Sequence, residues 1–314
     1  MKLTAAVSKF VLLKQATGLK FLSASKVLGQ FSRNVGDRDI RGITPNSVNA
    51  FLRGQGPLTT TAALRYRILD GFFKFATRRS YLAKSPLPNE EPHVQSTFTP
   101  HIYSIEELRR ILAVVALKRK RYSEVPASSV RALILLAYGA GLRISEGITL
   151  TNEDVNLKEA VLTIREAKNN RDRLVPISQR LAAELSLYAH RRRRWPSGAA
   201  RDSPFLAMLD GGALKTGSLD GIWRRACDSA GVRAPEGVAE QPRFHDLRHT
   251  FAVHRLIGWY REGADVQRLI YFLQIYLGHE HLSDTQRYLT MTPELLGHAN
   301  KRFENYISRE VGNV

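Results

Sequence analysis

Four prolines fall between Ser85 and Ile102, with little hydrophobic periodicity around them. Proline fixes φ and has no backbone N–H, so neither a helix nor a central strand continues through such a stretch. A semi-extended linker over residues 86–103 is the expected result. It divides the 314 residues into a shorter first part and a longer second one, each within the usual size of a single core.

The first part, residues 1–85, reads as a small helical bundle. Val7, Phe10 and Val11 open an amphipathic pattern, and Phe21, Leu22, Val27, Leu28 and Phe31 continue it. Thr44-Pro45 has the form of an N-cap followed by proline at the first helical position, opening a helix through Phe51-Leu52. Gly54 and Gly56-Pro57 break the chain. Leu64, Ile68, Leu69, Phe72, Phe73 and Phe75 then mark a further helix with one strongly apolar face, and these side chains read as core. The same segment holds 15 basic and three acidic residues (Asp37, Asp39, Asp70), so it carries +12 of the chain's net +18. A folded domain of that charge attracts polyanions and neutralises phosphates with counterion release. Ribosomal-type basicity or a basic membrane-facing surface would match the charge, but the apolar periodicity fits a DNA-gripping domain better.

The second part opens at Ser104-Ile-Glu-Glu107, a capping box with Tyr103 and Leu108 placed for a hydrophobic staple. Helices are expected through Leu117, from Val130 to Tyr138, and briefly from Ser145 to Leu150. Ala160–Arg165 and Arg173–Ile177 are β-like runs, and Asn169-Asn170 between them suits a hairpin turn. From residue 179 the pattern is mostly helical. Arg191 to Arg194 close one predicted helix and read as a solvated face. Residues 104–293 form this domain, and 294–314 an amphipathic tail.

Several classes are set aside. No run approaches the roughly 18–20 apolar residues of a membrane span, and the start lacks a signal-peptide h-region. No membrane partner and a cytoplasmic location are therefore expected. Cys227 is the only cysteine, which excludes an internal disulfide and a thiolate zinc cluster; it reads as a small buried residue.

Chemistry concentrates in five signals of the second part. They are Arg143 in Gly141-Leu142-Arg143, Lys168 in the predicted hairpin, the run from His245 through Arg248 to Ala252, Leu277-Gly278-His279, and Tyr288. Two arginines on different elements can clamp one phosphate, because a guanidinium binds phosphate oxygens through two parallel hydrogen bonds and keeps its proton. Attack on a phosphodiester adds negative charge, which preorganised donors must meet. A lysine on a hairpin could protonate the leaving oxygen. A phenol titrates near pH 10, so an attacking tyrosine needs cations or a base nearby, and His245 or His279 could supply either. Taken singly, each signal has a plainer explanation, such as a surface salt bridge or a helix stop. Composition gives Tyr288 no claim over Tyr260, Tyr271, Tyr276 or Tyr306.

Their order and spacing resemble the tyrosine recombinase (phage integrase) family, with features similar to recombinases of transposon-like mobile elements. The Gly-Leu-Arg, the lysine before Arg173-Leu-Val-Pro176, the His-x-x-Arg-His-Thr-Phe-Ala run, the Leu-Gly-His and a tyrosine nine residues after its histidine all match. Two features depart from the pattern: Lys168 lacks its usual glycine neighbours, and the stretch from Arg248 to His279 is long. The resemblance implies a mainly α fold with a small β-sheet or hairpin, arranged as a two-domain C-shaped DNA clamp. It implies that Tyr288 forms a 3′-phosphotyrosine, that Arg143, Arg248 and His279 stabilise the phosphate, and that Lys168 is the general acid. His245 would assist proton transfer or orient the phosphate, and Glu146 would position the others. No metal or nucleotide cofactor is implied. The implied partners are double-stranded DNA at specific recombination sites, further copies of this chain in a tetramer coupled by the tail, and related recombinases. The same chemistry without synapsis, as in type IB topoisomerases, and a non-catalytic DNA-binding relic remain open alternatives.

Overall fold

The computed structural model describes residues 1–54, 59–93, 99–117, 125–165, 172–234, 236, 241–291, 293–297 and 300. It separates into two compact units, Met1–Thr97 and Phe98–Val314. The division falls inside the proline-rich stretch.

The first unit contains α1 (Leu3–Ala16), α2 (Leu22–Val35), α3 (Pro45–Arg53) and α4 (Thr60–Arg78). Thr44 caps α3, its Oγ1 accepting from the Ser47 N–H at 3.3 Å. The apolar faces meet in a core that includes Phe10, Leu28, Phe31, Phe51, Leu69, Phe72 and Phe73. Phe31 packs edge-on against Phe51 and Phe73, with centroids 5.2 and 6.0 Å apart. Each acidic residue of residues 1–85 has a local partner: Asp37 holds Thr4, Asp39 the terminal ammonium, and Asp70 Lys74. Lys9, Lys20, Lys26, Arg33, Arg78, Arg79 and Lys84 stay exposed, so the surface carries the positive charge.

The second unit begins with the expected capping box: the Ser104 N–H donates to Glu107 Oε2 at 2.7 Å, and the Glu107 N–H donates to Ser104 Oγ at 3.2 Å. Then come α5 (Ile105–Leu117), α6 (Ala127–Gly139) and α7 (Ile144–Thr149). Strands β1 (Val155–Asn156), β2 (Val161–Ile164) and β3 (Arg173–Pro176) form an antiparallel sheet in the order β1-β2-β3, with Leu162 opposite Val175. The residues of the expected turn, Asn169-Asn170, lie outside the described residues. Strand β1 was not foreseen, since two residues are too few to show alternation. The chain continues through α8 (Gln179–Arg192), α9 (Thr216–Ser229), α10 (Asp246–Arg261), α11 (Val266–Leu277) and α12 (Ser283–Gln286), then a 3₁₀ turn, Arg287–Thr290. Helix α6 is the hub, packed against α5, α8 and α10. It is apolar on nearly every side, with Val130, Leu133, Ile134, Leu136 and Ala137 all buried.

The arginine run at the end of α8 departs from the expected solvated face. Arg192 is 1% exposed. Its Nη1 and Nη2 donate to the carbonyls of Pro196 and Pro204 at 3.2 and 3.4 Å, and its guanidinium lies over Trp195. It serves as the internal tie of the loop after α8. Cys227 is buried as expected, and burial pushes its thiol up to about 12. Helices α10 and α11 pack as a pair through one face, leaving Tyr271, Phe272 and Ile275 exposed. No described helix is long and apolar enough to cross a membrane.

Candidate active site

The site is assembled at the C-terminal end of α11. That helix stops at Gly278, whose φ of +65° places it in the left-handed region. The His279 N–H returns to the Gln274 carbonyl and the Gly278 N–H to the Ile275 carbonyl, each at 3.0 Å, the paired bonds of a Schellman motif. The last carbonyls of a helix have no partner within it and carry its negative dipole end. Here two arginines take them. Arg248 Nη2 donates to the Leu277 carbonyl at 2.6 Å, and Arg143 Nη2 to that of Gly278 at 3.1 Å.

Each arginine arrives by its own route. Arg143 is the residue before α7, delivered by a corner at Gly141 with φ +62°. A Cβ at Gly141 would stand 2.6 Å from the Phe251 ring and 2.8 Å from Leu277, so only glycine lets α10 and α11 close over this corner. Arg248 lies in the first turn of α10 and donates through Nη1 to the Gly141 carbonyl at 2.7 Å. The entry of α10 is held by Tyr103, whose hydroxyl donates to the Arg243 carbonyl at 2.9 Å and accepts from the Trp223 indole at 3.2 Å. Asp246 adds a clasp, accepting from the Arg243 N–H at 2.9 Å and from its Nη2 at 3.0 Å.

Glu146 sets the planes of the cations. It accepts from the Arg143 N–H at 2.9 Å and from its Nη1 at 2.7 Å. It also takes a forked pair from Arg173 on β3, at 3.0 and 2.9 Å. Arg248 Nη1 stands 3.8 Å from the same carboxylate. Burial opposes the charge, but Arg173 and then Arg143 outweigh it and hold the carboxyl down to about 2. Three guanidinium groups around one carboxylate leave a surplus of positive charge suited to an anion. Arg248, 2% exposed, is brought to about 10 by burial and by Arg143, so it remains a cation at neutral pH.

Tyr288 lies in the 3₁₀ turn and is 2% exposed. Burial raises its phenol, against the pull of Arg248, Arg287 and Arg143. Its ring stacks on His279 with centroids 6.0 Å apart, and its hydroxyl lies 3.2 Å from His249 Nδ1. His279 Nδ1 is engaged by Thr285 Oγ1 at 2.8 Å. Burial, then Arg248 and Arg143, push His279 down to about 3. His245 packs edge-on against His249, with centroids 5.0 Å apart. It opens to solvent on one side, and desolvation on the other, followed by Arg248, lowers it.

Arg143, Arg248, His279 and Tyr288 thus come together around one point, with His245 one helical turn from His249. Lys168 lies outside the described residues. Arg173, His249 and Thr285 were not among the sequence candidates. Arg173 could have been noticed as a charged residue opening an apolar strand, and His249 as the residue following Arg248; Thr285 carries no signal in the sequence.

The model of the phage integrase family matches residues 106–301. Among curated relatives, the putative integrase/recombinase y4rB of Sinorhizobium fredii is 31% identical over 306 residues, covering 95% of this chain and 96% of that protein. Tyrosine recombinase XerA of Thermococcus kodakarensis is 34% identical over 288 residues, covering 84% and 91%. In fold, the Tn1549 transposon integrase in complex with transposon right end DNA superposes with a TM-score of 0.68 at 16% identity, covering 98% of this chain and 100% of that one. A lambda integrase dimer bound to a COC′ core site gives 0.66 at 16% identity, covering 93% and 97%. The extent of the match and the assembled site lead to one conclusion: the chain belongs to the phage integrase family, as a tyrosine-type site-specific recombinase.

Proposed function

We propose that this recombinase cuts and rejoins DNA strands through a 3′-phosphotyrosine on Tyr288, and that it moves a mobile element. The observation that carries the reading is the burial of one phenol beside a cluster of cations with no acidic partner beyond Glu146 among the described residues. Arg143 and Arg248 would face the non-bridging oxygens. Each guanidinium has five N–H donors, so their contacts with carbonyls fix their planes without exhausting their capacity. His279, held by Thr285, adds a third group on the phosphate. We assign Lys168 to the leaving 5′ oxygen and His245 to orienting the phosphate. The phosphotyrosine bond conserves the energy of the broken linkage, so rejoining requires no external source.

Double-stranded DNA is the partner proposed for both units, with residues 1–85 as the gripping domain, 86–103 as linker and 104–293 as the catalytic domain. The DNA-bound lambda and Tn1549 integrases with which the fold superposes support this. One lambda integrase structure is a tetramer bound to a Holliday junction, and a tetramer coupled by residues 294–314 is the assembly proposed here. A cytoplasmic location is proposed with this reading, as the compartment in which the DNA would be met.

The test is incubation with labelled, nicked duplexes taken from DNA flanking the protein's own gene, followed by a denaturing gel. A covalent band that vanishes in Tyr288→Phe, while the variant still retards the duplex on a native gel, is the expected result. A band that persists in Tyr288→Phe would refute the nucleophile.

A further inference from the structure

Attack by Tyr288 leaves one proton to be placed. The phenol must lose it as the bond to phosphorus forms, and an ordinary tyrosine keeps it up to about pH 10. The sequence offers His245 and His279 as groups that could supply either a cation or a base beside the phenol. Their positions favour neither. His279 stacks on the face of the Tyr288 ring, with Nδ1 bound to Thr285. His245 packs against His249, and among the described residues no hydrogen bond joins it to Tyr288. His249 makes the contact: its Nδ1 stands 3.2 Å from the Tyr288 hydroxyl, with the two rings 5.6 Å apart.

We propose that His249 is a further catalytic residue, which receives the Tyr288 proton during strand cleavage and returns it during rejoining. The inference rests on Tyr288 being the nucleophile. In cleavage, a bond forms between Tyr288 Oη and phosphorus while the Oη–H proton passes to His249 Nδ1. The bond from phosphorus to the 5′ oxygen breaks, and that oxygen leaves with a proton from the general acid. Rejoining reverses both transfers. The tautomer required carries its hydrogen on Nε2.

The surroundings keep this imidazole neutral in the free protein. Burial is the main cause, followed by His245 just before α10, Arg248 on it, Arg243 ahead of that helix and Arg287 beside Tyr288; together they bring His249 down to about 3. So weak a base suits the resting state and not the reaction. An arriving phosphodiester changes the balance, because its charge offsets the arginines that disfavour an imidazolium. The added charge of the transition state does so further, at the moment the proton moves. His249 follows Arg248 directly on α10, so the helix that presents the arginine to the phosphate also presents the base to the phenol.

The experiment is single-turnover cleavage of a duplex that the wild type cleaves, carrying a 5′-bridging phosphorothiolate at the scissile position. Sulfur leaves as a thiolate without a proton, so the rate reports activation of Tyr288 rather than the general acid. His249→Ala is expected to lower that rate by ~10²-fold or more near neutral pH, the loss shrinking as pH rises toward the titration of the phenol. His249→Asn places an acceptor of negligible basicity near the Nδ1 position and separates proton transfer from positioning. It should cleave as poorly as alanine, with DNA retention on a native gel showing that it is folded. Rates within about threefold of wild type for either variant overturn the proposal. The wild-type pH profile is an independent check that needs no variant. A rate that climbs tenfold per pH unit from about pH 6 to 9 means attack by a phenolate without a base, which also overturns it. Tyr288→Phe, run alongside, distinguishes the two readings. A covalent band in that variant removes the nucleophile assignment itself, whereas its silence beside active His249 variants removes only the role of His249.

Discussion

Glu146 sits among three guanidinium groups that would repel one another without it, and its two oxygens fix the planes of Arg143 and Arg173. It is 7% exposed, so its charge is held by partners and not by water. Removing one member of a buried ionic cluster leaves the others uncompensated, at a cost of roughly 3–5 kcal/mol. Glu146→Gln keeps the shape and deletes the charge. Its urea unfolding midpoint should fall accordingly, and cleavage should fall with it as Arg143 loses its orientation. A midpoint equal to that of wild type would mean that the carbonyls of Leu277 and Gly278 suffice to hold the arginines.

The Leu-Gly-His signal becomes intelligible as a helix end. Glycine allows the left-handed turn, the turn swings His279 toward Tyr288, and the freed carbonyls bind arginines from α10 and the start of α7. Gly141 performs the matching task at the other side, and its contact with an aromatic ring leaves no slack. Gly141→Ala should cost on the order of 2–4 kcal/mol, combining left-handed strain with overpacking against Phe251. Thermal unfolding would register this; an unchanged midpoint would show that the corner is softer than it looks. Much of this level was readable in advance. The capping box at Ser104, the proline-opened α3 and the strands β2 and β3 rest on local rules, so short windows of sequence announce them. Arg192 and β1 were not readable. An arginine in a basic run has the composition of a surface residue, and its burial depends on a loop returning twelve residues later at Pro204. The site divided in the same way. Arg143, Arg248, His279 and Tyr288 were recognisable by spacing, whereas the bond from His249 to the phenol depends on how α10 packs against the 3₁₀ turn.

Across the whole chain, charge and chemistry are divided between two units, each with its own hydrophobic core. The basic unit contains none of the groups around Tyr288, so its contribution to DNA binding should be separable from strand cleavage. Removing residues 1–85 should weaken duplex binding and flatten its dependence on salt, because fewer phosphates are neutralised. A chain ending at Pro293 should keep its affinity for DNA and lose higher-order assembly in sedimentation. An unchanged salt slope in the first case, or intact assembly in the second, would count against the proposed division of roles. The end of α11 has one more implication, for how such a chain can diverge. Arg248 near the start of α10 and the Leu277 carbonyl at the end of α11 are bound to each other, so the intervening turns form a closed excursion with both ends fastened. Lineages could lengthen that excursion or recolour its outward face, where Tyr271, Phe272 and Ile275 now stand, and acquire new associations while the chemistry inherited at its base stays in place.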